Sequence, residues 1–483
     1  MRYHPTEIVS ADELESIHLG SLRVLSEIGM DFLDADAREV LRGAGAQVTP
    51  DSQRVRFDPA MVTELIRTAP TQFTLHARNP ERNVELGGDW VAFGTVGSPP
   101  NVSDLDRGRR IGNRVDYQNL LRLAESLNAV HFLSGYPVEP VDLHHGVRHL
   151  HATFDALTLM DKAIHCYSLG RQRNIDVLEM VRIARGVDAE TIDREPSVFT
   201  VVNSSSPLRL DAPMLQGIME FAAHNQVVCI TPFTLAGAMA PVTLAGALAE
   251  QNAEALAGMV LTQAVNPGAP VIYGGFTSNV DMQSGAPAFG TPEGMRTSMI
   301  GGQLARRYGV PYRSSNVNAS NALDAQAAYE SVFSLWGAIQ GGVNLLMHGA
   351  GWMEGGLHAS YEKMILDAEL LGMVAAFLEP VTVDEETLAF TAMQEVGPGG
   401  HFFGAEHTQS RYRTAFHKPM LSDWRNYETW QEAGSPELPS KANRIWKELL
   451  AAYEPPPMDP AIHEELEAFV ARRVAEGGVP TDY

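Results

Sequence analysis

Two cysteines in 483 residues, Cys166 and Cys229, are too few for a disulfide framework or a cysteine-rich zinc site. Both lie inside short apolar runs, where a buried, reduced thiol is the ordinary state. Basic residues are scarce as well: 36 Lys and Arg stand against 59 Asp and Glu, a net charge of −23. That balance argues against non-specific binding to nucleic acid or to anionic membranes, both of which require basic surface. No apolar run reaches eighteen residues, so no membrane-spanning helix is expected. The opening residues, MRYHPTEIVSADELESIH, carry neither an apolar signal core nor an Arg-rich transit pattern, and a cytoplasmic location is the expectation. There is no GxSxG elbow, no P-loop and no GxGxxG dinucleotide fingerprint.

What is present is a rhythm. Eight short apolar runs recur: VAFGT from Val91, VHFLSG from Val130, AIHCYS from Ala163, VFTVVN from Val198, VVCIT from Val227, PVIYGG from Pro270, VPYRSS from Val310 and NLLMHG from Asn344. Each is too short for a helix, and most are rich in β-branched or aromatic residues. Between them lie roughly thirty to forty residues, enough for one crossover helix and its loops. Helical patterns over 115–127, 172–185, 213–225 and 245–265 fill such gaps. The arithmetic is that of an α/β fold, a TIM (β/α)8 barrel, over 88–377.

Residues 1–87 read as an N-terminal α+β extension. Ser10 and Glu13 have capping-box spacing at the head of a first helix. Helices are also expected over 36–44 and 59–68, with strands near 55–57 and 73–77. Residues 378–483 read as a C-terminal helical extension, with helices over 385–396, 440–452 and 460–476. Helical tails outside a barrel commonly make subunit contacts, so a homo-oligomer is expected.

In such a barrel the strand C-termini converge on one mouth, which holds the chemistry. Asn203, Thr231, Tyr273, Ser314 and His348 close five of the runs. Asn203 suits either a ligand carboxylate or a plain turn. His348 suits carboxylate binding as imidazolium, acid–base work, metal ligation, or a structural hydrogen bond. Phe233, Tyr273, Phe276 and Trp352 place aromatic rings at or just past three strand ends, where together they form a candidate cage for an alkylammonium ion. Glu354 is the carboxylate nearest the mouth; Glu362, Asp367 and Glu369 read more simply as structural acids, while Asp324 with Gln326 suits equally a site-forming βα loop and a helix cap. His145 and His149 have i, i+4 spacing, but no third ligand joins them, so no metal site is assigned. No acid–base pair stands at a fixed spacing, which suits a reaction needing placement more than proton transfer.

Several ordered stretches resemble the trimethylamine methyltransferase superfamily of corrinoid-dependent enzymes. They are Asp324-Ala-Gln326 with Tyr329-Glu330, Ser360-Tyr361-Glu362 with Asp367-Ala-Glu369, Val396-Gly-Pro-Gly-Gly-His401, His407-Thr408, and the 430–434 segment. Asn203 with Ser206-Pro207-Leu208, and the 104–110 loop, are similar too. The founding members carry pyrrolysine; this chain has only the twenty standard residues and is more similar to the branch that demethylates quaternary amines such as glycine betaine, proline betaine and carnitine. The resemblance implies methyl transfer from a quaternary amine, most readily glycine betaine, to cob(I)alamin. The cobalamin would be supplied by a partner corrinoid protein, with no cofactor held tightly by this chain. His348 and Glu354 are then the catalytic candidates; Asn203, Phe233, Tyr273, Phe276, His348 and Trp352 are the substrate-binding ones. A metal-dependent barrel hydrolase or lyase and a non-catalytic betaine-binding protein are the rival readings.

Overall fold

The computed structural model describes residues 4–480. Its centre is a curled sheet of seven parallel strands: β1 (Ala92–Thr95), β2 (Ile164–Tyr167), β3 (Val198–Val202), β4 (Val227–Ile230), β5 (Val271–Gly274), β6 (Tyr312–Ser315) and β7 (Leu345–Ala350). The strand order is β1-β7-β6-β5-β4-β3-β2. Seven of the eight predicted runs therefore form strands. The eighth, VHFLSG, does not: Phe132 alone makes single parallel bridges, to Gly94 within edge strand β1 and to Ala163 just before edge strand β2. The left-handed turn at Gly135 and the following Pro137 end this run before a ladder can extend.

Thirteen helices of eight residues or more surround the sheet among the described residues, counted from α1 (Ala11–Arg23) to α13 (Pro460–Ala475). Those that matter below are α5 (His145–Leu159), α6 (Arg171–Arg185), α8 (Leu244–Val265), α10 (Ala325–Gln340), α11 (Tyr361–Leu378) and α12 (Leu438–Ala452). The capping box at Ser10 and Glu13 is formed, and Asp324 caps α10 through the Gln326 and Ala327 amides. The helix expected over 385–396 is instead two short turns, Glu385–Leu388 and Phe390–Val396, broken where Ala389 takes φ 52°.

Period-two alternation sorts the strand side chains. Phe199, Val227, Cys229, Ile272, Leu345 and Met347 point inward, while Val198, Val228, Tyr273, Tyr312 and Leu346 point outward against helices. The inner cluster is completed by Leu75, Val84 and Leu86. These come from an N-terminal hairpin, Gln72–Leu75 paired with Val84–Gly87, which stoppers the end where the strands begin. The far end, where the strands finish, remains open for a site.

Candidate functional site

The strand C-termini surround a cavity of ≈ 390 Å³. Asn203, Phe233, Phe276, His348 and Trp352 all line it, although they come from segments as far apart as β3 and the loop after β7. Tyr273 and Glu354 do not.

One wall is aromatic. Phe276 is the hub, with ring centroids 5.1 Å from Phe233, 5.7 Å from Phe289 and 6.1 Å from Trp352. The indole N–H of Trp352 donates to the Asn318 carbonyl at 3.1 Å, which fixes the plane of the ring. Gly356 passes so close that a Cβ there would lie 2.5 Å from the indole, so only glycine fits beside it. The His348 ring is tilted 45° to the indole, with centroids 4.3 Å apart.

Beside the aromatic wall stands a buried cation, the guanidinium of Arg313 lying over the Phe276 ring at 5.2 Å. Arg313 on β6 lies opposite inward-facing Leu345 in the ladder, so strand parity turns its side chain into the cavity. It is 2% exposed. Nη1 donates to the Gly275 carbonyl at 3.4 Å, Nε has no partner, and no carboxylate among the described residues pairs with it. Burial pulls its pKa down to about 10, still leaving it charged at neutral pH. An uncompensated buried guanidinium is costly by several kcal/mol, which is tolerated where a ligand supplies the anion.

Two histidines flank it, and both are neutral. Burial first, then Arg313, pushes His165 down to about 3 and His348 well below the ordinary imidazole value. His165 Nε2 accepts from the Val201 amide at 3.2 Å, so Nδ1 carries the proton, and that N–H is buried without a partner. His348 sits where β7 shifts register, with φ 54°, and this kink lets it share the cavity wall with Met347 instead of pointing outward. Its Nδ1 lies 3.2 Å from the Ser315 hydroxyl. The imidazolium role open to His348 in sequence is thus disfavoured by the charge beside it.

The rim is polar. Tyr167 accepts from the Tyr136 amide at 2.8 Å and meets Ser98 Oγ at 2.6 Å. Asn203 donates from Nδ2 to the Thr231 carbonyl at 2.7 Å. The turn that carries Asn203 is held by buried Glu254, which accepts from Ser206 Oγ and the Leu208 amide, both at 2.6 Å, and from Ser204 Oγ. Burial raises the Glu254 pKa, and these donors oppose the rise.

Tyr273 is one residue out of phase for the cavity. Its hydroxyl points to α8, where it donates to Asn252 at 3.0 Å and accepts from Gln251 at 3.1 Å. Glu354 accepts from Arg109 at 2.8 Å and lies 3.0 Å from His358 Nδ1. Burial alone would raise its pKa, but these two partners outweigh it and hold the carboxyl low. It clamps the Asn101–Asp104 and Gly108–Ile111 hairpin to the segment beside the mouth. Glu362, Asp367 and Glu369 each tie down another part of the chain: Glu362 accepts from Trp446, Asp367 from Gly351, and Glu369 from Met420. His149 is committed to Asp176 at 2.9 Å, and among the described residues no group of three His, Cys, Asp or Glu is placed to hold a metal.

Among the cavity residues that escaped the sequence reading, Arg313, His165 and Phe289 matter most to the chemistry. The first two were within reach, since each occupies an inward register position in a predicted strand. Phe289 was not; it arrives from an excursion after β5 that includes Ser278–Val280 and Pro287–Ala288.

The family model described as Trimethylamine methyltransferase (MTTB) matches residues 1–478. The chain is 39% identical to a glycine betaine methyltransferase of Desulfitobacterium hafniense over 472 residues, 98% of each chain. It is 29% identical to a trimethylamine methyltransferase of Methanosarcina mazei over 96% of this chain and 94% of that one. Among solved structures it is similar in fold to the monomethylamine methyltransferase of Methanosarcina barkeri, with a TM-score of 0.50 and 10% identity, covering 92% of this chain and 94% of that one.

Proposed function

Because the chain belongs to the trimethylamine methyltransferase family, we propose that it takes a methyl group from a quaternary amine bearing a carboxylate, glycine betaine foremost, and delivers it to the cob(I)alamin of a separate corrinoid protein. The finer reading of the fold goes with this. Phe132 stands as the eighth strand of a (β/α)8 barrel over 88–377, whose C-terminal mouth is the site, with 1–87 and 378–483 as its two extensions.

One observation carries the proposal: a single cavity brings together a buried guanidinium with no carboxylate partner among the described residues and a cluster of four aromatic rings. A tetraalkylammonium group offers no N–H to donate, so it is held by the faces of Phe233, Phe276, Phe289 and Trp352. A carboxylate a few bonds away neutralises Arg313 and takes the free Nδ1–H of His165. His348 and Asn203 complete the substrate contacts at the rim. Free trimethylamine fits this charge pattern poorly, because its conjugate acid brings a second cation with nothing for Arg313.

The corrinoid, when its carrier protein presents it at the mouth, supplies the nucleophile. What this chain supplies is placement. The aromatic wall and Arg313 fix both ends of the substrate, so one N–CH₃ bond is aimed at the opening. A quaternary nitrogen leaves as a neutral tertiary amine, so no proton needs to be delivered, in keeping with two neutral histidines at the site. Glu354 acts through Arg109 on the mouth and does not touch substrate.

The test is direct. The protein is mixed with a cob(I)alamin-loaded corrinoid protein and a panel of betaines, and the absorbance change to methylcobalamin is followed. Conversion with glycine betaine is expected, and none with choline, which keeps the trimethylammonium group but lacks the carboxylate. Failure with every betaine, alongside tight calorimetric binding of one of them, would make the chain a receptor instead of an enzyme.

A further inference from the structure

A second cavity, of ≈ 140 Å³, adjoins the first between β2, α5 and α6. The two share only His165, Tyr167 and Leu169 as a common wall. Both helices start at this cavity: His145, Arg148 and His149 of α5 line it, and so does Arg173 of α6. A helix N-terminus carries partial positive charge, which Asp or Glu in the first turn ordinarily answers. Neither helix has an acid there, and each carries arginine instead. No side chain caps α6. Two helix starts and their arginines thus make one small volume positive, the electrostatics of an anion site.

Most of the side-chain charge around it is answered. Arg148 has Glu139 at 3.3 Å, and Asp176 is shared by His149 and Arg473, each at 2.9 Å. Arg173 is the exception. It is 5% exposed, donates from Nη1 to the Leu169 carbonyl at 2.6 Å, and has no carboxylate partner among the described residues. One positive charge is left over. His149, also 5% exposed, supplies the opposite complement. Its Nε2–H donates to Asp176, and burial opposes a second proton, so Nδ1 is a bare acceptor, buried without a partner.

We propose that this cavity is a second anion site, which takes a small hydroxycarboxylate monoanion, its carboxylate on Arg173 and its hydroxyl donating to His149 Nδ1. The charge balance asks for one negative charge, and the planar guanidinium fork matches a carboxylate edge. The bare imidazole nitrogen asks for a ligand that brings a donor hydrogen of its own. The volume lies below the about 300–1,000 Å³ of pockets for larger ligands, which limits the occupant to a few heavy atoms. Leu169 and Val177 offer an apolar wall to its short carbon chain. A quaternary ammonium is repelled by the two arginines and both helix starts, so this is not a second place for the betaine.

Equilibrium dialysis of radiolabelled lactate against the full chain tests this. One bound equivalent is expected that saturating glycine betaine does not displace. Propionate, which lacks the hydroxyl, should bind about five-fold more weakly, the worth of one neutral hydrogen bond. Arg173→Gln should weaken lactate binding about 20-fold or more, the worth of a charged one, while betaine turnover stays within about two-fold, because Arg173 does not line the substrate cavity. Arg313→Gln should leave lactate binding intact, and His149→Phe should erase the preference for lactate over propionate. Should Arg173→Gln fail to fold by circular dichroism, the Arg313→Gln and His149→Phe variants still decide. Absence of lactate binding at millimolar concentration overturns the proposal, as does inorganic phosphate binding more tightly than lactate. So does binding that vanishes in Arg313→Gln and persists in Arg173→Gln, a result that would put the carboxylate in the substrate cavity and leave the betaine reading standing.

Discussion

The guanidinium carbon of Arg313 lies 5.2 Å from the centre of the Phe276 ring. One ring thus bridges the two halves of the cavity, meeting a fixed cation and joining the wall assigned to a mobile one. The spacing of positive centres is therefore set by the thickness and tilt of Phe276, and a substrate that carries its own negative charge between them is the one that relieves both.

Arg313→Gln should separate function from stability. Activity with glycine betaine falls 100-fold or more in kcat/KM. The free protein becomes more stable, by about 1–3 kcal/mol, because an uncompensated buried charge is gone. Thermal melts without ligand read the second effect; a Tm that drops instead would place the missing counter-charge within the protein itself.

Trp352→Leu removes an aromatic face but keeps an apolar wall. A desolvated cation–π contact contributes roughly 1–2 kcal/mol, so betaine affinity by calorimetry should weaken about 5- to 30-fold. Unchanged affinity would assign Trp352 to packing alone.

Tyr273→Phe and Glu354→Gln probe the two candidates that lie off the cavity. The first should leave KM for betaine within two-fold and lower stability by about 1 kcal/mol through the lost bonds to α8. The second should leave betaine binding intact and slow turnover with the corrinoid protein, since it loosens Arg109 at the mouth. A loss of betaine binding in Glu354→Gln would return that carboxylate to the substrate.

Between pH 6.5 and 8.5 turnover should show no limb from His165 or His348, both of which are already neutral there. Stability behaves differently. His165 is held at about 3, and His18 and His131 at about 4, all by burial. As pH falls below the unfolded value near 6.5, the unfolded chain takes up protons that the folded chain does not. Stability is therefore full above pH 6.5 and declines toward pH 4. The Tm should already fall between pH 6.5 and 5, and less so in His131→Asn, which keeps an acceptor for the Phe93 amide bonded to His131 Nδ1. A flat Tm across that interval would contradict neutral burial.

The strands were legible because apolar runs bounded by turns mark them out, and seven of the eight formed. Position within each run was the finer signal. Tyr273 ends a run and looked eligible, yet Ile272 beside it takes the inward place and turns the tyrosine toward α8. Arg313 drew no notice within its run, yet it is in phase with the interior. Phe289 could not be read at all, because a long excursion between elements carries no periodicity.

The hairpin of Gln72–Leu75 and Val84–Gly87, whose leucines fill the end where the strands begin, fixes the order of events. Among the described residues that hairpin covers the end of the sheet away from the cavity. A betaine must enter before a carrier domain covers the opening, and the demethylated amine stays behind until that carrier departs. Steady-state kinetics should accordingly show ordered loading, with excess demethylated carrier protein trapping spent amine and slowing the cycle.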